Sequence, residues 1–384
     1  MKNRGEGKDK MNNKLGGITG LRGITACLIA YIYHYLLLFQ AMPANSHWGT
    51  QILGAMGFML LSASDVFFVM SGFLMARKYE NRQIEPFREY IFKRISKIYP
   101  LMIVTAIWAF AEENIGLHLL GYYPLHGDGG EVRYSLIALL LNVLGLQTGF
   151  VADGDTYAVN GPSWFVSVII TCQILFYIIL RYVKSRRKQN LIFAGMIIVG
   201  VLAILYPVNV PLLYSCMARG YLGFGIGVLM CRGTSGVYEN NQEYREYIRQ
   251  GSSVVALLIS QVLLYVILSG RDHVVLNELF IQLTGFWACL TFMSIYGFVT
   301  SRILGLKIFK WLGDRAMTIF LCNLPTDIGI ALVDKYWNLN IEYGSIEIWL
   351  LHIVISMVIV VVVYELEKTL KNAVKKALCQ RKIS

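Results

Sequence analysis

Charge is what this chain has little of. Asp, Glu, Lys and Arg make up 15% of its 384 residues, where a soluble globular domain carries roughly a quarter. With 56% hydrophobic residues and a mean hydropathy of +0.53, that shortage excludes an ordinary water-soluble fold. Metal and redox spacing is missing as well. The seven cysteines (Cys27, Cys172, Cys216, Cys231, Cys289, Cys322, Cys379) form no CxxC and no Cys/His pattern, which argues against a disulfide framework and a structural metal. They read as small buried apolar residues. No stretch resembles a soluble domain, and no internal repeat stands out, which disfavours a transporter built from inverted halves.

What the chain does have is apolar runs of the length a bilayer requires, roughly 20 residues each. They predict an all-α polytopic membrane bundle with ten spans, at 20–41, 53–76, 95–112, 162–181, 190–207, 213–231, 253–270, 277–300, 316–333 and 347–366. Thirty of the 35 lysines and arginines then fall on one side of the membrane. Arg133, Arg271 and Lys335 fall on the other, and Arg22 and Arg219 lie within spans. This is the positive-inside bias, which puts both termini in the cytoplasm. It accounts for the net charge of +11 without nucleic acid. Residues 134–150 are apolar, but no basic cluster follows them, so they read as a re-entrant or interfacial helix on the outer side. The first run lacks a convincing cleavage site and reads as a signal anchor. The expected organisation is a polar segment over 1–15, a membrane domain over 16–366 and a basic tail over 367–384, held by anionic lipid.

Ionisable residues inside such runs are expensive and normally face a cavity or a partner. His34 and Arg22 share the first run, and Asp65 sits in the second. Arg219, Asp327 and His352 are further polar groups within spans, without an assigned role, while His118, His126 and His273 read as loop residues.

Five local patterns recur in a fixed order. Leu21-Arg22-Gly23 is followed by His34; Asp65 to Phe73 closes the second span; Lys93 to Pro100 opens the third; Asn160 to Ser167 opens the fourth. Leu312-Gly313 followed by Ile319 to Pro325 marks the ninth. Together, over residues 16 to 366, they resemble the integral-membrane acyltransferase-3 family, whose members move acyl groups, commonly acetyl, onto bacterial envelope sugars. The resemblance implies an acyl-CoA donor on the cytoplasmic side and an essential histidine in the first span. The chain departs from the family pattern at four points. Eleven residues rather than ten separate Arg22 from His34, Lys97 stands where Arg is usual, Ile169 where an acid is frequent, and Asn323 where His is frequent.

The first departure has a geometric consequence. Side chains twelve positions apart on a regular α-helix point about 120° apart, whereas eleven positions nearly restore the face. A π-bulge between Thr25 and Tyr33 would absorb the extra residue, and such bulges are common at functional sites.

Within this frame His34 is the candidate general base for a sugar hydroxyl attacking a thioester. Its rival reading is a histidine hydrogen-bonded within the bundle. Asp65 is the candidate residue orienting that imidazole, and structural pairing with another buried polar group is its rival. Arg22, Arg94 and Lys97 are candidates for the phosphates of acyl-CoA, acetyl-CoA foremost, against plain inner-face charge. Ser163 and Trp164 would line the acceptor entrance, and Glu113, beside Glu112, would receive acceptor hydroxyls. Ser71-Gly72 would allow close helix approach. The expected partners are the bilayer of the bacterial cytoplasmic membrane and a carbohydrate acceptor, in the simplest case lipid-linked, with no metal and no nucleic acid. A transporter or flippase using the same buried charges is the alternative.

Overall fold

The computed structural model describes residues 16–39, 62–80, 82–153, 156–240 and 276–380. Among them every regular element is helical. The principal helices are α1 (Gly16–Phe39), α2 (Asp65–Lys78), α3 (Phe87–Leu120), α4 (Leu136–Leu144), α5 (Trp164–Tyr182) and α6 (Arg186–Leu205). After them come α7 (Ser215–Asn240), α8 (Leu276–Tyr296), α9 (Phe298–Leu304), α10 (Lys307–Asp314), α11 (Ala316–Trp337) and α12 (Ile346–Gln380).

Six of these, α1, α3, α5, α6, α11 and α12, are long and apolar enough to cross a membrane. The chain is a membrane protein, and six is the number of spans its described helices support by that measure, against ten expected. Of the other four expected spans, 253–270 lies outside the described residues. The second is described only from Ser62 onward and is a 14-residue helix, α2. The eighth contains a shorter apolar stretch, Phe280–Tyr296. The sixth is α7, whose apolarity is diluted by glycine for a packing reason. A Cβ at Gly72 of α2 would fall on the Phe224 carbonyl oxygen, and one at Gly227 of α7 on that of Val69. The two backbones touch there because neither helix carries a side chain, the small-residue approach that membrane helices use.

Burial separates the inner helices from the outer ones. α5 and α11 are mostly buried, while α12 turns Leu350, Leu351, Val354, Val358 and Val362 outward. A continuous apolar face of that kind is stable against lipid, not water. The third span is longer than expected, 34 residues rather than 95–112, and runs about 51 Å. Nothing in its polar first turns breaks a helix, and the Glu89–Lys93 pair at 2.6 Å supports them. It stops where Gly121 adopts φ 84°, a left-handed cap. His118 therefore lies in the last turn of α3, not in a loop; His273 lies outside the described residues.

The segment expected to be re-entrant or interfacial contains α4, nine residues and about 14 Å long, too short to span. Ser135 caps it, accepting from the Ala138 amide at 3.2 Å, and Gly145 at φ 71° ends it. Leu136, Ile137, Leu140 and Leu144 face outward while Ala138 and Asn142 are buried, the pattern of a helix lying along a membrane surface.

Gly72→Leu should therefore drive α2 and α7 apart and lower the thermal midpoint of the detergent-purified protein by several degrees. Gly195→Ala, where nothing lies within 4 Å, should leave the midpoint unchanged or raise it slightly.

Candidate functional site

The first helix carries the register that the site needs. Its α-helical start, Gly16–Leu28, gives way to a six-residue π-helix, Ile29–His34, before α-helical geometry resumes at Tyr35. The expected bulge is thus present: it begins inside the stretch between Thr25 and Tyr33 and runs one residue past it, to His34. Arg22 and His34 both meet the α10–α11 segment. The Arg22 guanidinium donates to the Gly313 carbonyl through Nε at 3.0 Å and Nη2 at 2.6 Å. Gly23 and Gly313 permit that contact, since a Cβ on Gly23 would strike the Gly313 amide nitrogen and one on Gly313 the Thr19 carbonyl. Twelve residues on, His34 Nδ1 accepts from the Asn323 amide nitrogen at 3.3 Å.

Asn323 begins a buried polar chain. Its amide nitrogen also donates to Asp327 Oδ2 at 2.8 Å, and His352 Nε2 lies 2.6 Å from Asp327 Oδ1. Asp327 has no exposure, and His352 and Asn323 almost none. Sequence reasoning left Asp327 and His352 without a role. The available signal was the four-residue spacing of Asp327 from Asn323 and the second histidine in an apolar run, His352, but neither identifies the partner.

A proline fixes the neighbouring wall. Pro325 has no N–H, so the Leu321 carbonyl four residues earlier loses its helical donor. The Asn160 side chain supplies one, at 2.7 Å. This bond ties the Asn160-Gly161-Pro162 turn, which opens α5, to the turn of α11 that carries Asn323.

Two of the cavities among the described residues concern these groups. One, of about 580 Å3, lies at the end of the bundle rich in lysine and arginine. Its lining includes Arg22, Arg94 and Lys97 together, with Lys78, Lys93, Asp314, Glu367 and Lys371 around them. The three expected donor-binding cations are not equivalent. Arg94 is buried and committed, donating to the Tyr90 carbonyl at 2.7 Å and the Tyr79 hydroxyl at 2.9 Å, stacking on the Tyr90 ring and facing Glu85 at 3.7 Å. Lys97 is exposed at the mouth. The second cavity, of about 330 Å3, lies at the opposite end and is lined by His34, Tyr33, Trp164, Arg133, Arg219 and Phe320, among others.

Three expected site residues lie elsewhere. Asp65 does not orient His34: its carboxylate takes Arg219 at 2.9 Å and Thr284 at 3.1 Å, and Arg219 also donates to Ser64. Full burial of Asp65 makes the cation obligatory there. Ser163 is fully buried, donating to Asn142 and accepting from Gln147, and does not line the His34 cavity. Glu113 is not at the acceptor entrance either; it is buried against His126 at 2.7 Å. Of the expected acceptor residues, Trp164 is at the cavity.

The Asn160–Leu321 bond predicts a coupled pair. Asn160→Ala should cost about 1–3 kcal/mol by orphaning a buried carbonyl. In a Pro325→Ala background, where the helix can supply its own donor, the same substitution should cost clearly less, read by denaturation of single and double variants.

A family model described as an acyltransferase domain, that of the acyltransferase-3 family, matches residues 15–365. No curated protein and no solved structure matches the chain.

Proposed function

We propose that this chain, which belongs to the acyltransferase-3 family, moves a small acyl group, acetyl foremost, from acyl-CoA to a hydroxyl of a cell-envelope or exported carbohydrate. It would do so in the bacterial cytoplasmic membrane, with the basic end facing the cytoplasm. The observation that carries the reading is the back-to-back placement of a cation-lined cavity and a histidine-lined one. Phosphates of CoA suit the first, where Arg22 is held rigid by Gly313 and Lys97 stands at the mouth. The separation between Arg22 and His34, shorter than the ~18 Å that twelve residues of regular α-helix would span, suits a pantetheine arm.

At the second cavity the acceptor hydroxyl attacks the thioester carbonyl. The carbon–oxygen bond forms, the carbon–sulfur bond breaks, and His34 takes the hydroxyl proton and passes it to the departing thiolate. Trp164 offers an aromatic face on which a sugar ring can lie. Asn323 serves as a positioning residue, since its amide fixes the imidazole's Nδ1. An acceptor attached to a lipid carrier reaches this cavity most simply.

Membranes bearing the protein, given labelled acetyl-CoA, should pass label to envelope glycans. His34→Ala should lower that transfer about 10²–10⁴-fold at unchanged protein level; transfer persisting in the variant would sink the proposed base. Substrate uptake without acylation would favour transport instead. Lys97→Ala should raise KM for acetyl-CoA severalfold with kcat nearly unchanged, the mark of lost ground-state binding. Asn323→Ala should lower kcat rather than raise KM, and should add nothing to the loss caused by His34→Ala.

A further inference from the structure

Between the two cavities stands a wall of three phenylalanines from three helices. Phe67 of α2 and Phe165 of α5 line the basic cavity, and Phe320 of α11 lines the His34 cavity. Their ring centroids are 5.5 Å (Phe67–Phe165), 6.0 Å (Phe67–Phe320) and 5.9 Å (Phe165–Phe320) apart. Each ring is at most 8% exposed. Rings in contact at such separations leave no open channel among them. The far side of the wall is the reaction site itself, for the His34 ring lies 6.4 Å from that of Phe320. Adjacent residues of α5 face opposite compartments, since Trp164 lines the His34 cavity and Phe165 the basic one.

We infer that Phe67, Phe165 and Phe320 form a septum that seals the donor cavity from the acceptor cavity and selects the acyl group by size. The inference rests on the transfer reading above. A thioester entering from the basic end reaches His34 by parting these rings. A two-carbon acyl group parts them least, and every further methylene must be accommodated by a close-packed wall. Discrimination of one methylene in such a setting is worth roughly tenfold or more. The same wall excludes water. Where it is breached, water replaces the sugar hydroxyl at the thioester carbonyl, the carbon–sulfur bond breaks, and the products are the free carboxylic acid and CoA thiol.

Membranes bearing the full chain would be given acetyl-, butyryl- and hexanoyl-CoA. Label passed to glycans is measured first, and acceptor-independent release of CoA thiol from the purified protein second. Phe320→Ala and the gentler Phe165→Leu should raise the butyryl-to-acetyl ratio of kcat/KM tenfold or more. They should also increase thiol release without acceptor. Phe165→Trp, which thickens the wall, should move the ratio the opposite way, and this guards against reading general loosening as altered selectivity. Wild-type transfer with an unchanged ratio and unchanged thiol release in all three variants would overturn the septum alone. Absence of any transfer by the wild type would overturn the transferase reading and the septum with it.

Discussion

A charge or an unpaired peptide group inside an apolar bundle has no water to turn to, and leaving it alone costs several kcal/mol. That constraint organises this molecule. Asp65 must meet a cation, and Arg219, 154 positions away, is bound to it. The Leu321 carbonyl, stripped of its donor by Pro325, must be met by another, and Asn160 meets it. Arg22 spends two of its donors on the Gly313 carbonyl. Each of these bonds joins helices that the apolar contacts alone would leave free to slide. Lipid tails are as apolar as leucine, so side-chain hydrophobicity does little to fix which membrane helix packs on which. The polar pairs supply that specificity, and the walls of both cavities are the helices they join.

The π-helical segment answers a related demand. A helix that must present Arg22 to one turn of its neighbour and His34 to another, twelve residues on, cannot do both at 3.6 residues per turn. Six residues of wider geometry, Ile29–His34, restore the face. The i→i−4 hydrogen bonds give way to i→i−5 bonds there, and the gain is that the cation and the imidazole meet the same partner segment from the two ends of the bundle.

What could be read from the sequence follows the same division. Properties written along a single helix were legible: the all-helical membrane class, a short helix rather than a span within residues 134–150, and, once the spacing of Arg22 and His34 is set against the family pattern, the π-segment. Properties that depend on a distant partner were not. Asp65 and His34 sit at compatible depths, and depth suggested a pair, but the azimuth of Asp65 is set by Arg219 and Thr284 from α7 and α8. Glu113 ends an apolar stretch as a solvated acid would, yet α3 continues past it and His126 folds back over it. The span expected at 213–231 is the helix α7, and its close packing on α2 was not legible, because hydropathy scores side chains, whereas Gly227 acts by having none.

The polar chain behind His34 constrains its proton chemistry further. The Asn323 amide nitrogen donates to both His34 Nδ1 and Asp327 Oδ2, which leaves the neutral imidazole's proton on Nε2. An imidazolium would place an N–H at Nδ1, facing another N–H. Relief comes if the amide turns and presents Oδ1, which lacks a hydrogen-bond partner in this arrangement. The turned amide sets its oxygen against Asp327 Oδ2, two acceptors that need a proton between them. That proton would sit on Asp327 Oδ2, while His352 Nε2 stays 2.6 Å from the other carboxylate oxygen. Protonation of His34 is therefore coupled through one amide to the state of a buried Asp–His pair. A histidine at position 323, frequent in the family, could donate from one nitrogen and accept with the other. An asparagine has to turn over to achieve the same exchange, and that turn is the distinctive demand this sequence makes on its site.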